Sequence, residues 1–360
     1  MQKDKPPIQV FKAFDTRCSS KSTPHFTLLE TGNINITWLV FCGIDGLHPD
    51  EPDFVLQKIN SHVFVEPKNI AEQIHGVSSF LESKSPGFVP KAVAGVTGLP
   101  WVVDDAGGVW KMARFVHNTL VLNKIRSAHQ ASAIAEGYGR FQYLLRDFEL
   151  PIADSPVKGF HELALQLEAF HYLALSSGRA LEAEQLIRQA SRLVQDWLPS
   201  IGVDLMQGEK KAVIHGDCKV SNILLSPDGG RACAVVDLDT VMYGERGWDF
   251  GDLVRSGANA LGEEDDTAGY SHDIFKALAS GFVRALQDVL QVHEKEQLVA
   301  SCQYMTFMIA LRFLVDYLNG DEYFRVNDSE HNLRRARVQF ALFEQMRSFE
   351  ADMLRHVRSI

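Results

Sequence analysis

The stretch from Ala212 to Asp252 constrains this chain more than any other, because its short apolar runs are punctuated by acidic residues at fixed separations. Ala212-Val213-Ile214 leads into His215-Gly216-Asp217-Cys218-Lys219-Val220-Ser221-Asn222. A turn is expected at Pro227-Asp228-Gly229-Gly230, and Ala232-Cys233-Ala234-Val235-Val236 then reads as a buried strand that delivers Asp237 to its end. A carboxylate, a lysine and an amide therefore converge within six residues, and a second carboxylate arrives from the next strand. Cys218 lies inside this set, but nothing local lowers its thiol pKa, so packing is expected of it and not nucleophilic chemistry.

The spacing Asp217-x-Lys219-x-x-Asn222 matches the catalytic loop of kinases, which sets a base beside a metal ligand. The block resembles the aminoglycoside phosphotransferase and choline kinase superfamily, whose signature is H-G-D-x-x-x-x-N followed by an aspartate that ends a hydrophobic strand. The resemblance implies a protein-kinase-like, two-lobed α+β fold with ATP and magnesium between a small antiparallel-sheet lobe and a large, mainly helical lobe. Asp217 becomes the base that faces an acceptor hydroxyl, Asn222 and Asp237 the magnesium ligands, Lys219 a cation that neutralises the phosphoryl group in flight, and Asp239 a support for metal or substrate. Hard oxygen ligands are what this chemistry needs, since transferring a γ-phosphoryl group is mostly charge neutralisation.

The rest of the chain is expected to serve that block. Residues 25–30 and 37–41 read as strands of a phosphate-covering hairpin, whose turn brings Gly32, Asn33, Asn35 and Thr37 to the nucleotide. Phe54-Val55-Leu56-Gln57-Lys58 carries a lysine where kinases have V-A-I-K, so Lys58 is expected on the α and β phosphates, with Glu72 of a helix over about 67–83 as its partner. A solvated lysine at a strand end remains the alternative. Segments 88–93, 100–103 and 109–116 complete an expected five-stranded sheet, and the family architecture makes Arg114, Phe115 and Val116 the hinge that meets adenine. The lobes divide as 1–116 and 117–360. Helical spacing covers 128–148, 161–176, 181–198, 272–290, 294–318 and 333–357, and Asp249, at the positive end of another helix, is expected to brace the catalytic loop. His161, His171 and His293 read as ordinary core or surface histidines, and Glu263-Glu264-Asp265-Asp266 as a solvated loop.

A narrower resemblance rests on four segments: 32–37, 55–60, 236–242, and Arg312-Phe313-Leu314-Val315-Asp316-Tyr317-Leu318-Asn319-Gly320-Asp321-Glu322-Tyr323-Phe324. These are similar to the N-acetylhexosamine 1-kinase branch, which implies phosphorylation of the anomeric hydroxyl of an amino sugar. Gly216 departs from the asparagine common there. Arg312, Asp316 and Tyr323 are the expected acceptor contacts; a purely structural Arg312–Asp316 pair, four apart on one helix, stays open. So do an aminoglycoside, choline-like or other small alcohol as acceptor, and a nucleotide-binding pseudokinase that regulates a partner. A net charge of −10 argues against a basic nucleic-acid footprint. Cys18, Cys42, Cys218, Cys233 and Cys302 form neither C-x-x-C pairs nor an even set, which points to a reducing cytoplasm. No signal core is read at the N-terminus and no run is read as approaching the roughly 18 apolar residues of a span, so no membrane partner is expected. The oligomeric state is not legible.

Overall fold

The computed structural model describes residues 7–16, 23–29, 34–43, 51–152, 155–157, 159–201, 212–262, 265 and 267–360. A small lobe begins with the short helix α1 (Ile8–Lys12) and the strands β1 (His25–Leu29), β2 (Ile36–Phe41) and β3 (Phe54–Lys58). After α2 (Pro67–Lys84) come β4 (Ala92–Val93), β5 (Val102–Val103) and β6 (Val109–Arg114). These strands form one antiparallel sheet in the order β1-β2-β3-β6-β4, with β5 also on β6. It has six strands and not the expected five, because β4 pairs with residues 112–113 of β6 and β5 with residues 109–110, sharing one edge.

Strand alternation sorts this sheet into two faces. Phe54, Leu56, Trp110 and Met112 pack under Val10, Phe11 and Phe14 on the outer face. Val55, Gln57, Lys111 and Ala113 turn the other way, towards the cleft. Helix α2 joins both lobes: Ile70 and Ala71 sit with Ile59 and Val109, whereas Val77 and Leu81 belong to the core of the large lobe.

The large lobe holds β7 (Leu120–Val121), β8 (Ala212–Ile214), β9 (Ile223–Leu225), β10 (Ala232–Val235) and β11 (Met242–Gly244). They form a three-stranded sheet, β10-β9-β7, and a β11-β8 pair. Around them lie α3 (Ala128–Leu144), α4 (Leu163–Ser176), α5 (Glu184–Arg192), α6 (Arg246–Gly257), α7 (His272–Ala285), α8 (Val292–Leu318), α9 (His331–Ser348) and α10 (Glu350–Ser359). The result is the two-lobed α+β arrangement expected of a kinase-like chain.

Three helices depart from their expected form. The single helix read over 333–357 breaks at Phe349 (φ −101°, ψ 3°), although Met353 and Val357 beyond the break remain buried. The 181–198 segment starts at Glu184 and ends in a π-helical turn, Leu193–Trp197, that keeps both of its end residues in the core. Helix α8 has an 18-residue window of mean hydropathy 1.6, enough by length and composition to cross a membrane, contrary to the reading that no run approached one. Within the fold, 89% of that window is buried, and α8 is the core helix of the lobe. Helix α6 lies against it so closely that a Cβ at Gly251 would meet the Ser301 carbonyl oxygen at 2.3 Å.

Candidate active site

The loop between β8 and β9 is held from behind. The Asp249 carboxylate, buried on the first turn of α6, accepts hydrogen bonds from the His215 and Gly216 amides at 2.9 Å each and from Gln142 Nε2 at 2.8 Å. Tyr138 donates its hydroxyl to the Lys219 carbonyl at 2.7 Å, and Thr240 donates to the His215 carbonyl at 2.9 Å. Gly216 has φ +82°, the left-handed region that glycine and, less freely, asparagine adopt. A Cβ there would meet the Thr240 carbonyl oxygen at 2.5 Å, so the close approach as well as the backbone angle calls for glycine. The loop ends on Asp217, whose Oδ2 accepts from Lys219 Nζ at 2.7 Å. Burial raises the Asp217 carboxyl, but the Lys219 ammonium, His215 and Arg255 outweigh it and leave the group below its ordinary value. Burial likewise opposes the Lys219 charge, and Asp217 overrides it to raise the ammonium.

Beside Asp217 a cavity of about 160 Å³ is lined by Asn35, Thr37, Gln57, Lys219, Asn222, Asp237 and Asp239. Asn222 donates Nδ2 to the Asp217 carbonyl at 3.0 Å, which leaves Oδ1 as its remaining polar atom. Asp237 sits at φ +61°, and its carboxylate accepts no hydrogen bond among the described residues. One carboxylate and one amide oxygen suit magnesium, which keeps few protein ligands and takes the rest from water and phosphate. Among the described residues no group of three or more His, Cys, Asp or Glu offers an all-protein cage. A larger cavity of about 390 Å³ between the lobes shares Gln57 and Asp237 with it, is walled by Leu39, Val55, Ala71, Leu224 and Val236 and is bordered by Arg114, Phe115 and Val116. Gly32 and Asn33 lie outside the described residues.

Three expected roles change here. Lys58 faces away from the cleft: its phase on β3 puts it on the outer face, 2.9 Å from Asp104 and 5.5 Å from the Trp110 ring. Glu72 is exposed on α2, and the inward position of that turn is Gln73, which donates to the Val241 carbonyl. The lysine in the interlobe cavity is Lys111, opposite Gln57 on β6. Burial lowers its ammonium to about 8 against the pull of Asp237. Asp239, expected at the metal, has both carboxylate oxygens engaged by the small lobe, one by Lys111 Nζ and the other by Asn35 Nδ2. Lys111 was missed because a lysine in an apolar strand gives no sign of which face it takes until the strands are paired.

On the other side of Asp217 a cavity of about 180 Å³ is lined by Phe160, His161, Arg312, Tyr323, Arg325 and Arg335, among others. The Arg312 guanidinium lies 4.7 Å from the Phe160 ring, 5.2 Å from Tyr323 and 5.3 Å from Phe324, an aromatic cage filled by the chain's own cation. No carboxylate pairs with it among the described residues. Asp316 accepts instead from the Tyr323 and Phe324 amides, at 2.8 and 3.0 Å, and from Asn332 Nδ2 at 2.8 Å. It shapes the wall without lining the cavity, which corrects both its expected acceptor contact and the alternative Arg312–Asp316 pair. His161, read as an ordinary histidine, lines the cavity and bonds the Gly216 carbonyl through Nε2 at 2.8 Å; burial first, then Arg312, lowers its pKa.

A family model described as "Phosphotransferase enzyme family" matches residues 40–288. Among solved structures, a microcompartment-associated aminopropanol kinase superposes with TM-score 0.65 at 18% identity, over 95% of this chain and 97% of its own. An aminoglycoside phosphotransferase from Alicyclobacillus acidocaldarius subsp. acidocaldarius gives 0.61 at 12% identity, over 100% and 98%. A choline/ethanolamine kinase family protein from Mesorhizobium loti gives 0.56 at 15% identity, over 95% of each chain. These three likenesses speak for the fold. The family match spans well over half of the sequence and includes the whole catalytic loop, and by it the chain belongs to the phosphotransferase enzyme family.

Proposed function

We propose that this protein transfers the γ-phosphoryl group of ATP to a hydroxyl of an uncharged amino sugar, in particular the anomeric hydroxyl of an N-acetylhexosamine. Asp217 receives the proton of the acceptor hydroxyl while that oxygen bonds to the γ-phosphorus and the bond to the departing ADP oxygen breaks. Lys219 stands beside the transferred group, and Arg114 to Val116 border the space for adenine. Asn222 and Asp237 would hold magnesium, which when bound supplies charge neutralisation on the phosphates.

The observation that carries the acceptor reading is the filled cage. Aromatic faces recognise quaternary ammonium groups when they stand empty. Here Phe160, Tyr323 and Phe324 surround Arg312, and the lining cations Lys219, Arg255, Arg312, Arg325 and Arg335 outnumber the carboxylates Asp217 and Asp252, so a cationic alcohol would meet an excess of like charge. Arg312, Tyr323 and His161 offer directional partners suited to sugar hydroxyls and an acetamido carbonyl. The test is ATP consumption over N-acetylglucosamine, N-acetylgalactosamine, aminoglycosides, choline and ethanolamine. The reading expects turnover on an N-acetylhexosamine, with Arg312→Met lowering kcat/KM for it and sparing ATP affinity. Preference for a cationic alcohol overturns it, and nucleotide binding without turnover on any acceptor favours a regulatory role.

A further inference from the structure

We infer that Lys111 and Asp239 form the phosphate-positioning ion pair of this protein, with the acidic partner supplied by the opposite lobe and not by the helix of the small lobe. The inference rests on the nucleotide reading above and assigns residues within it. In a kinase the corresponding lysine and glutamate both belong to the small lobe. Here neither candidate for that pair is available, since Lys58 is bound to Asp104 on the outer face and Glu72 faces solvent. The other cation bordering the interlobe cavity, Arg114, lies over the Phe54 ring at 4.8 Å.

Lys111 is 8% exposed and Asp239 4% exposed, so each charge is tolerable only because the other is present. Asn35 holds the second oxygen of Asp239 through Nδ2, and its own Oδ1 accepts from the Asn60 amide at 3.0 Å, which fixes the pair from the hairpin side. The two aspartates that follow β10 thereby divide their work. Asp237, free of hydrogen bonds among the described residues, is left for the metal, and Asp239 holds the lysine. Because the pair spans the cleft, Lys111 is presented to phosphate only while the lobes are together.

Equilibrium binding of ATP and of adenosine to the intact chain, each over a magnesium titration, tests this. Lys111→Met should weaken ATP by about 10- to 100-fold and leave adenosine within about twofold, the loss typical of a charge-assisted bond to phosphate. Lys58→Met should leave ATP binding unchanged. Asp239→Asn should weaken ATP without moving the magnesium concentration of half-maximal effect, whereas Asp237→Asn should raise it. Should Lys111→Met fail to fold because Asp239 is left unpaired, the Lys111→Met/Asp239→Asn double variant, with neither charge of the pair, carries the same expectation. Wild-type ATP affinity in Lys111→Met and in the double variant, or a magnesium shift in Asp239→Asn equal to that of Asp237→Asn, overturns the assignment. If the wild type binds neither ATP nor adenosine, the nucleotide reading falls and takes the pair with it.

Discussion

Asp217 owes its charge to the cations around it. Burial alone raises its pKa, and Lys219 at 2.7 Å reverses the balance. Asp217→Asn should therefore keep nucleotide affinity while losing about 10²- to 10⁴-fold in turnover, the usual range for a removed general base. The depressed pKa fixes the sign of the pH dependence as well. The stability contributed by this carboxylate is complete above the ordinary value of 3.8 and is lost as pH falls through the lower native value. Denaturant unfolding of wild type and Asp217→Asn should thus differ by a constant amount from neutrality to about pH 5, and the gap should close only at stronger acidity. A gap that narrows near neutrality would show the carboxylate to be raised instead. These residues were legible because Asp217, Lys219 and Asn222 are contiguous and their spacing is itself the signal. Lys111 was not, since Lys58 and Lys111 both sit in apolar strands and only the pairing phase of β3 with β6 tells which of them faces the cleft.

Among the elements, long helices with an apolar stripe were readable, and α3, α4, α7 and α8 lie within a few residues of their expected bounds. What periodicity does not encode is a local change of winding. The stripe through Phe340, Phe343 and Met346 resumes at Met353 and Val357, so the break at Phe349 leaves it intact and hidden. Nor does it encode how near two helices come. At Gly251 intrinsic propensity favours alanine by about 1 kcal/mol, and a helix exposed at that point would gain stability. Against the Ser301 carbonyl of α8 the added methyl has no room, and Gly251→Ala is expected to destabilise by about 1–3 kcal/mol, as overpacking does. Thermal unfolding decides by sign: a lower Tm supports close helix contact, and a higher one shows that the helices part without penalty.

For the whole molecule, the change from strand-rich to helix-rich sequence foretold two lobes, but not the ties between them, because each tie joins residues far apart in the chain. One of these ties has a mechanical consequence. The chain leaves the interlobe segment at Val116 and within a few residues becomes β7, whose Leu120 and Val121 pair with Leu225 and Leu224 of β9. Strand β9 begins at the residue after Asn222, and the Val236 amide donates to the Asn222 carbonyl at 3.0 Å. The connector and both proposed metal ligands therefore ride on one small sheet, so that opening at one end must loosen the other. Native-state hydrogen exchange should find the amides of Leu120, Val121, Leu224 and Leu225 opening as a single cooperative unit, at one common free energy below that of global unfolding. Bound nucleotide should slow the exchange of all four together, and independent rates for the two strands would show that the connector moves without disturbing the ligands.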